Sequence, residues 1–321
     1  MANRHRRTAP TLEVEVKPPW PFLLPRRGAG DGVMRSRKGV VTRLLHLDGE
    51  PVVVNAWQLR DGNVRLRAGG ATEELRERAI ERMRFTLSVD EDLRPFYDRF
   101  RRDPLLGPAI RKRPWLRARR RPGAWEALAW AITGQLIEAV RACEIQRRMV
   151  WRYGQQLPAA SSESSSRARG ATGEGERERP LRDVPGAEAV AARAPAELAA
   201  CDLAPKRAIA MIRCAREVAA GRIDPADPDH DRRLLAISEI GPWTVQVLGL
   251  EGRGDHDSLP AGDLAYVKLV GRLLGLGRRA EIPEIEAYFA PYEPYRGLAG
   301  YFAMVHYHGA VQSGPPLRLA A

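Results

Sequence analysis

Cysteine is scarce in this chain of 321 residues: only Cys143, Cys201 and Cys214 occur, an odd number spread far apart. That excludes a disulfide framework and a four-thiolate metal site, and leaves the three thiols as buried apolar fillers. Long hydrophobic runs are lacking too. No stretch nears the roughly 20 apolar residues that cross a bilayer, and Met1 to Arg7 has none of the apolar character of a secretory signal. A cytoplasmic protein with no membrane partner is expected. Acidic residues fall short of basic ones, 40 Asp+Glu against 52 Lys+Arg, for a formal net charge of +12. This balance favours a polyanionic partner, although an Arg-rich and Ala-rich composition also arises without one. The hydrophobic fraction of 44% suffices for ordinary cores in two or three domains.

Residues 1–92 read as a small antiparallel sheet with one helix. Gly39–Leu44, Pro51–Val54 and Asn63–Arg67 are short β-branched or alternating runs, broken by Asp48-Gly49 and Asp61-Gly62. Thr72 to Arg84 has a helical period, with Leu75, Ala79, Ile80 and Met83 on one face to cover the sheet. Over residues 93–321 helical patterning takes over, in Pro95–Arg102, a long helix from about Ala124 to Tyr153, Lys206–Ala220 and Arg296–His308. Trp125, Leu128, Ile132, Leu136 and Ile137 make the long helix too apolar for a surface, so it is expected to run through a core. From Ala159 to about Pro185 (159–185) the chain is mostly Ser, Glu, Arg and Gly. Too few apolar groups are present to offset ordering entropy, which predicts a disordered insertion. The fold class is α+β: a small amino-terminal antiparallel sheet domain with a helix, then a larger all-α region.

Two segments carry chemistry. Ile237-Ser238-Glu239-Ile240-Gly241-Pro242-Trp243-Thr244-Val245 sets a Gly-Pro turn between apolar helical runs, and Leu259-Pro260-Ala261-Gly262-Asp263 follows. Backbone N–H groups of such a turn, at a helix N-terminus, can approach a phosphate closely. Gly241 permits an unusual φ there, and Pro242 suits the first helical turn. A plain structural turn has the same local signature. Asp263, ahead of Leu264, Val267, Val270, Leu273 and Leu274, reads locally as a helix N-cap. Arg111-Lys112-Arg113 and Arg117 through Arg121 form a basic run around Trp115, either a solvated loop or a set of phosphate contacts.

Five words occur in a fixed order over roughly residues 95 to 312, the insertion aside. They are Ala131-Ile132-Thr133-Gly134-Gln135-Leu136-Ile137, Pro205-Lys206-Arg207-Ala208, Ile240-Gly241-Pro242-Trp243-Thr244, Leu259-Pro260-Ala261-Gly262-Asp263-Leu264 and Pro294-Tyr295-Arg296. In these the chain resembles the helix-hairpin-helix superfamily of DNA base-excision glycosylases, and within it the bacterial 3-methyladenine DNA glycosylase II group. The resemblance implies a two-lobed helical glycosylase region and a DNA repair enzyme that excises alkylated purines by base flipping and hydrolysis of the N-glycosidic bond. It makes Asp263 the catalytic carboxylate and assigns Trp243, Tyr295, Leu264 and Val247 to the base pocket. Gln135, Leu136, Lys206, Arg207, Ile240, Gly241 and Thr244 become DNA contacts, with Leu136 the wedge that fills the vacated stack. No organic cofactor and no metal ligand set are implied, although by analogy a cation can sit on hairpin backbone carbonyls. The implied partner is double-stranded DNA containing damaged bases, bound by a monomer in the nucleoid.

Hydrolysis passes through an oxocarbenium-like sugar, which one fixed carboxylate stabilises more than it does the neutral ground state. An alkylated purine already carries positive charge and leaves neutral, so no second acid is required. The positive end of a helix is expected to keep Asp263 ionised against burial. Asp255 and Asp257 are expected to be loop residues. Bifunctional members such as endonuclease III carry a Schiff-base lysine just after the hairpin, and Trp243 stands there instead, implying a monofunctional enzyme with no lyase step. The missing four-cysteine cluster sets the chain apart from the iron–sulfur branch. Some positions depart from the family pattern: Glu239 replaces the first hairpin glycine, and Val247 and Leu264 stand where relatives often carry pocket aromatics. A protein that binds DNA through the hairpin without catalysis is the alternative reading.

Overall fold

Five strands form one antiparallel sheet in the order β1-β5-β4-β3-β2, in a computed structural model that describes residues 10–157 and 180–313. They are β1 (Thr11–Val16), β2 (Met34–Arg37), β3 (Val40–Leu47), β4 (Glu50–Gln58) and β5 (Val64–Gly69). The β-branched runs mark β3, β4 and β5. Edge strands β1 and β2 are too charged or too short to stand out. Asp48 and Gly49 take φ of 53° and 82°, a pair of left-handed residues whose twist suits a two-residue hairpin, and Lys38-Gly39 repeats it between β2 and β3. Directly opposed ion pairs hold β1, with Glu15 2.7 Å from Arg65 and Glu13 2.6 Å from Arg67. Helix α1 (Glu73–Leu87) begins where the Thr72 hydroxyl accepts the Leu75 N–H at 3.2 Å. It buries Leu75, Ala79, Ile80 and Met83 in the core that contains Val52, Val54, Leu66 and Ala68.

The remaining helices divide into two lobes. In order they are α2 (Arg94–Phe100), α3 (Leu106–Lys112), α4 (Ala124–Gly134), α5 (Ala139–Tyr153), α6 (Ala187–Ala191), α7 (Pro195–Ala199), α8 (Pro205–Ala219), α9 (Asp231–Leu235) and α10 (Pro242–Val247). A π-helical turn (Leu248–Arg253) extends α10, and α11 (Leu264–Leu273), α12 (Ile282–Phe289) and α13 (Arg296–Ser313) follow. One core gathers Leu128, Ile132, Ile145, Met149, Met211, Ile240 and Leu248. The other gathers Phe96, Leu106, Leu250, Tyr266, Leu269, Phe289 and Phe302. The chain thus passes from one core to the other inside the π turn, where the α-helical register is broken. Among the described residues no helix is long and apolar enough to cross a membrane.

Several expectations need correction. The helix drawn from Ala124 to Tyr153 is two helices, because Leu136 takes a φ of 55° and the chain turns before Ala139. Leu136 therefore leaves the core and is 98% exposed. Of the insertion expected between 159 and about 185, residues 159–179 lie outside the described ones, while its last part is built into the fold. Gln156 and Arg182 form a β-bridge, and Asp183 is buried. Asp183 accepts from Arg43 at 2.8 Å and from the His46 backbone N–H at 2.7 Å, and Arg43 also donates to Glu126 of α4 at 2.8 Å. Asp31 accepts from Arg121 and from the Trp130 indole N–H, both at 2.9 Å. These buried pairs fix the sheet domain onto α4.

Arg120 and Arg121 of the basic run serve buried pairs rather than solvent, whereas Arg111, Lys112 and Arg119 are exposed. Arg121 pairs with Asp31 and Glu251, and Arg120 with Glu91 at 2.6 Å, because these buried carboxylates need partners. Cys201 and Cys214 are buried as fillers, burial pushing the Cys214 thiol up to about 12, whereas Cys143 is half-buried.

Candidate active site at the seam between the lobes

Asp263 is delivered by a tight turn, its N–H donating to Pro260 O at 2.9 Å, and caps α11 by accepting the Ala265 N–H at 2.8 Å. The helix end opposes the effect of burial without cancelling it. Burial pushes the Asp263 carboxyl above the ordinary aspartate range, against the Ala265 N–H and the Trp243 indole, which favour the charged form. One capping bond and an indole do not offset the apolar neighbours of this turn. Trp243, the second residue of α10, is among them. Gly262 and Gly134 have no Cβ, and one placed on either would lie 3.7 Å from the Trp243 side chain. The indole therefore spans the seam, from the Asp263 turn to the end of α4. Its buried N–H has no acceptor in hydrogen-bond geometry, an orphan donor beside the carboxylate.

The hairpin and the turn after α4 lie on the same seam. Gly241, expected to take an unusual φ, has −112°, and it is Glu239 that adopts the left-handed 73°. A glycine at position 239 would carry no Cβ penalty there. Space beside Gly241 is open, as a close phosphate contact requires. Gln135 donates its amide to Glu239 O at 2.8 Å and to the Thr244 Oγ1 at 2.9 Å, so both it and the buried Thr244 side chain face protein. The Ile240 side chain is buried in the first lobe, leaving its backbone to the surface. Lys206 and Arg207, at the N-terminus of α8, have no hydrogen bond or ion pair among the described residues, and Lys206 is exposed. Asp257 is held by Arg296, its Oδ1 2.9 Å from Nε, and Asp255 caps the same loop, so neither addresses the seam.

No family profile matches the chain. The DNA-3-methyladenine glycosylase of Bacillus subtilis (strain 168) is 24% identical over 233 residues, covering 71% of each protein. Among solved structures, the 3-methyladenine DNA-glycosylase from Archaeoglobus fulgidus aligns with a TM-score of 0.73 at 18% identity, covering 94% of this chain and 100% of that one. The Clostridium acetobutylicum 8-oxoguanine glycosylase/lyase, in complex with double-stranded DNA, aligns with a TM-score of 0.61 at 13% identity over 86% and 97%. The chain is thus similar in sequence to a 3-methyladenine DNA glycosylase and shares the fold of solved DNA glycosylases.

Within that fold, Trp243 and Val247 lie one helical turn apart on α10 and so share a face, while Leu264 beside Asp263 is about half-exposed. Tyr295 sits differently. Its ring packs on Phe96 and Phe100, with centroids 5.5 and 6.3 Å away, and lies 6.1 Å from His256. The bond between Gln135 and Thr244 joins residues 109 positions apart, and no local pattern announces it.

Proposed function

We propose that the protein is a monofunctional DNA glycosylase that releases alkylated purines of the 3-methyladenine type from double-stranded DNA. The observation that carries this reading is a lone, partly buried carboxylate, Asp263, at the seam beside the Trp243 indole, with Leu136 projecting from the neighbouring turn. The names of the similar proteins from Bacillus subtilis and Archaeoglobus fulgidus support it.

In this reading the damaged nucleotide swings out of the duplex, at a cost of a few kcal/mol that damage itself reduces. Leu136 takes the vacated place in the stack, and the base lies against Trp243 and Val247. The orphan indole N–H offers a donor at the reacting end. Ionised Asp263 stabilises the positive charge that develops on the sugar as the alkylated base departs neutral, and water then adds to the anomeric carbon, giving up a proton to Asp263. Trp243 has no amine for a Schiff base, so an abasic site remains in an uncut strand.

Methylated duplex DNA tests this directly. Wild-type protein should release free 3-methyladenine and leave a strand that breaks only after alkali. Asp263→Asn should lose release by about 10²–10³-fold and keep its DNA affinity. If wild type binds duplex and releases no base, a DNA-binding module replaces the enzyme.

A further inference from the structure

Gln135 is built into the hairpin rather than turned toward solvent. Both N–H bonds of its amide are used, one on the Glu239 carbonyl and one on the Thr244 hydroxyl, so the two acceptors bracket the Gly241-Pro242 turn. The next residue is Leu136, left-handed at φ 55° and 98% exposed. A leucine in that region is strained, and such a conformation persists only where the surroundings over-determine it. Exposing the whole side chain to water offsets none of this.

The surroundings supply the constraint from both directions. Before the turn, the Thr133 hydroxyl donates to Trp130 O and accepts from Gln146 Nε2, both at 2.8 Å, which pins the end of α4 to α5. After it, Ile137 packs on the first core. Gln135 closes the third side by tying the turn to the hairpin, whose Glu239 is itself left-handed. On the glycosylase reading of Leu136 as the wedge, we propose that Gln135 is a positioning residue and not a DNA contact. It locks the wedge turn to the hairpin, so that phosphate binding by the hairpin and insertion of Leu136 act as one rigid unit.

The test uses Gln135→Met, which keeps the length and loses both donors, with Thr244→Val and Thr244→Ser, which lose and keep the hydroxyl. All are compared at equal folded fraction. The readouts are fluorescence of 2-aminopurine beside a tetrahydrofuran abasic analogue, affinity for undamaged duplex across a salt series, and single-turnover release of 3-methyladenine. Gln135→Met should lower the unstacking signal and the release from a fully paired lesion by about tenfold, the worth of roughly two neutral hydrogen bonds. Release from a bulged lesion and the salt dependence of undamaged binding should stay within about twofold. Thr244→Val should show a smaller loss in the same direction, and Thr244→Ser none. A parallel loss of undamaged affinity would make Gln135 a DNA contact and overturn the proposal, as would an unchanged signal on the paired substrate. Wild-type protein that releases no base sinks the glycosylase reading, and the fluorescence comparison alone then decides the brace.

Discussion

The junction between the sheet domain and α4 and the seam between the lobes are built on opposite plans. At the junction every buried carboxylate faces a cation or a donor: Asp31 meets Arg121 and Trp130, Glu126 meets Arg43, and Asp183 meets Arg43 and His46. At the seam, among the described residues, Asp263 has one backbone donor and no cation, the Trp243 N–H has no acceptor in hydrogen-bond geometry, and Leu136 and Glu239 sit in left-handed backbone. The left-handed residues of the sheet hairpins cost less, since Asp48 and Lys38 are each followed by a glycine in short turns that call for that geometry. Paired charges hold the junction together, although Arg43 Nε is itself buried without a partner among the described residues, and strained backbone persists where the surroundings over-determine it. The two regions should accordingly fail in opposite ways, one in stability and the other in chemistry.

The largest expected effect is on the junction. Arg43 stays charged despite burial because Glu126 and Asp183 outweigh the desolvation. Arg43→Met would strand those carboxylates, and unfolding in urea should show a loss of about 3–5 kcal/mol. Base release per folded molecule should change little. Asp263→Asn should invert that result, with release falling by about 10²–10³-fold and the melting temperature equal or higher at neutral pH. The sign follows from the raised carboxyl pKa. The folded state holds the proton more tightly than the unfolded state does, so the stability it contributes is present below the unfolded pKa and lost as pH rises through the folded one. Asparagine keeps the capping acceptor without the buried charge. The gain in melting temperature should vanish toward acid pH. Wild-type release should fall on an acid limb centred above the ordinary aspartate range, read from single-turnover rates against pH.

How much of this was legible in sequence differs between the same regions. Periodicity placed α1 and its buried face, and turn pairs placed three strands, because those signals are local. Asp263, Trp243 and Leu136 stood out in short ordered words, and the fold sets Asp263, Trp243 and the turn bearing Leu136 along one seam. Contacts between distant positions were not legible. Nothing near Arg117–Arg121 says that Asp31, Glu91 and Glu251 await it, so the run read as surface charge. The break at Leu136 was hidden because an apolar residue continues the helical pattern while its backbone leaves it. The upward shift at Asp263 was hidden for the same reason: capping is visible locally, and burial is not.

The seam's two strained residues allow finer tests. Leu136→Gly should relieve left-handed backbone and raise stability by up to about 1 kcal/mol, while release from a fully paired lesion falls by at least tenfold or so. A simultaneous loss of stability would show that Leu136 packs on protein instead.

The smallest effect, and the most discriminating for the hairpin, is expected from Glu239→Gly. The exposed carboxylate stands one turn of chain before Gly241, at φ 73°. Glycine removes both the backbone strain and a negative charge from the presumed phosphate site. Undamaged duplex should bind a few-fold more tightly at low salt, with the gain shrinking as salt screens it. Single-turnover release at saturating protein should be nearly unchanged, because the chemistry at Asp263 is untouched. Were affinity to stay constant across the salt series, the phosphate grip would have to lie away from this turn, with Lys206 and Arg207 the next residues to substitute.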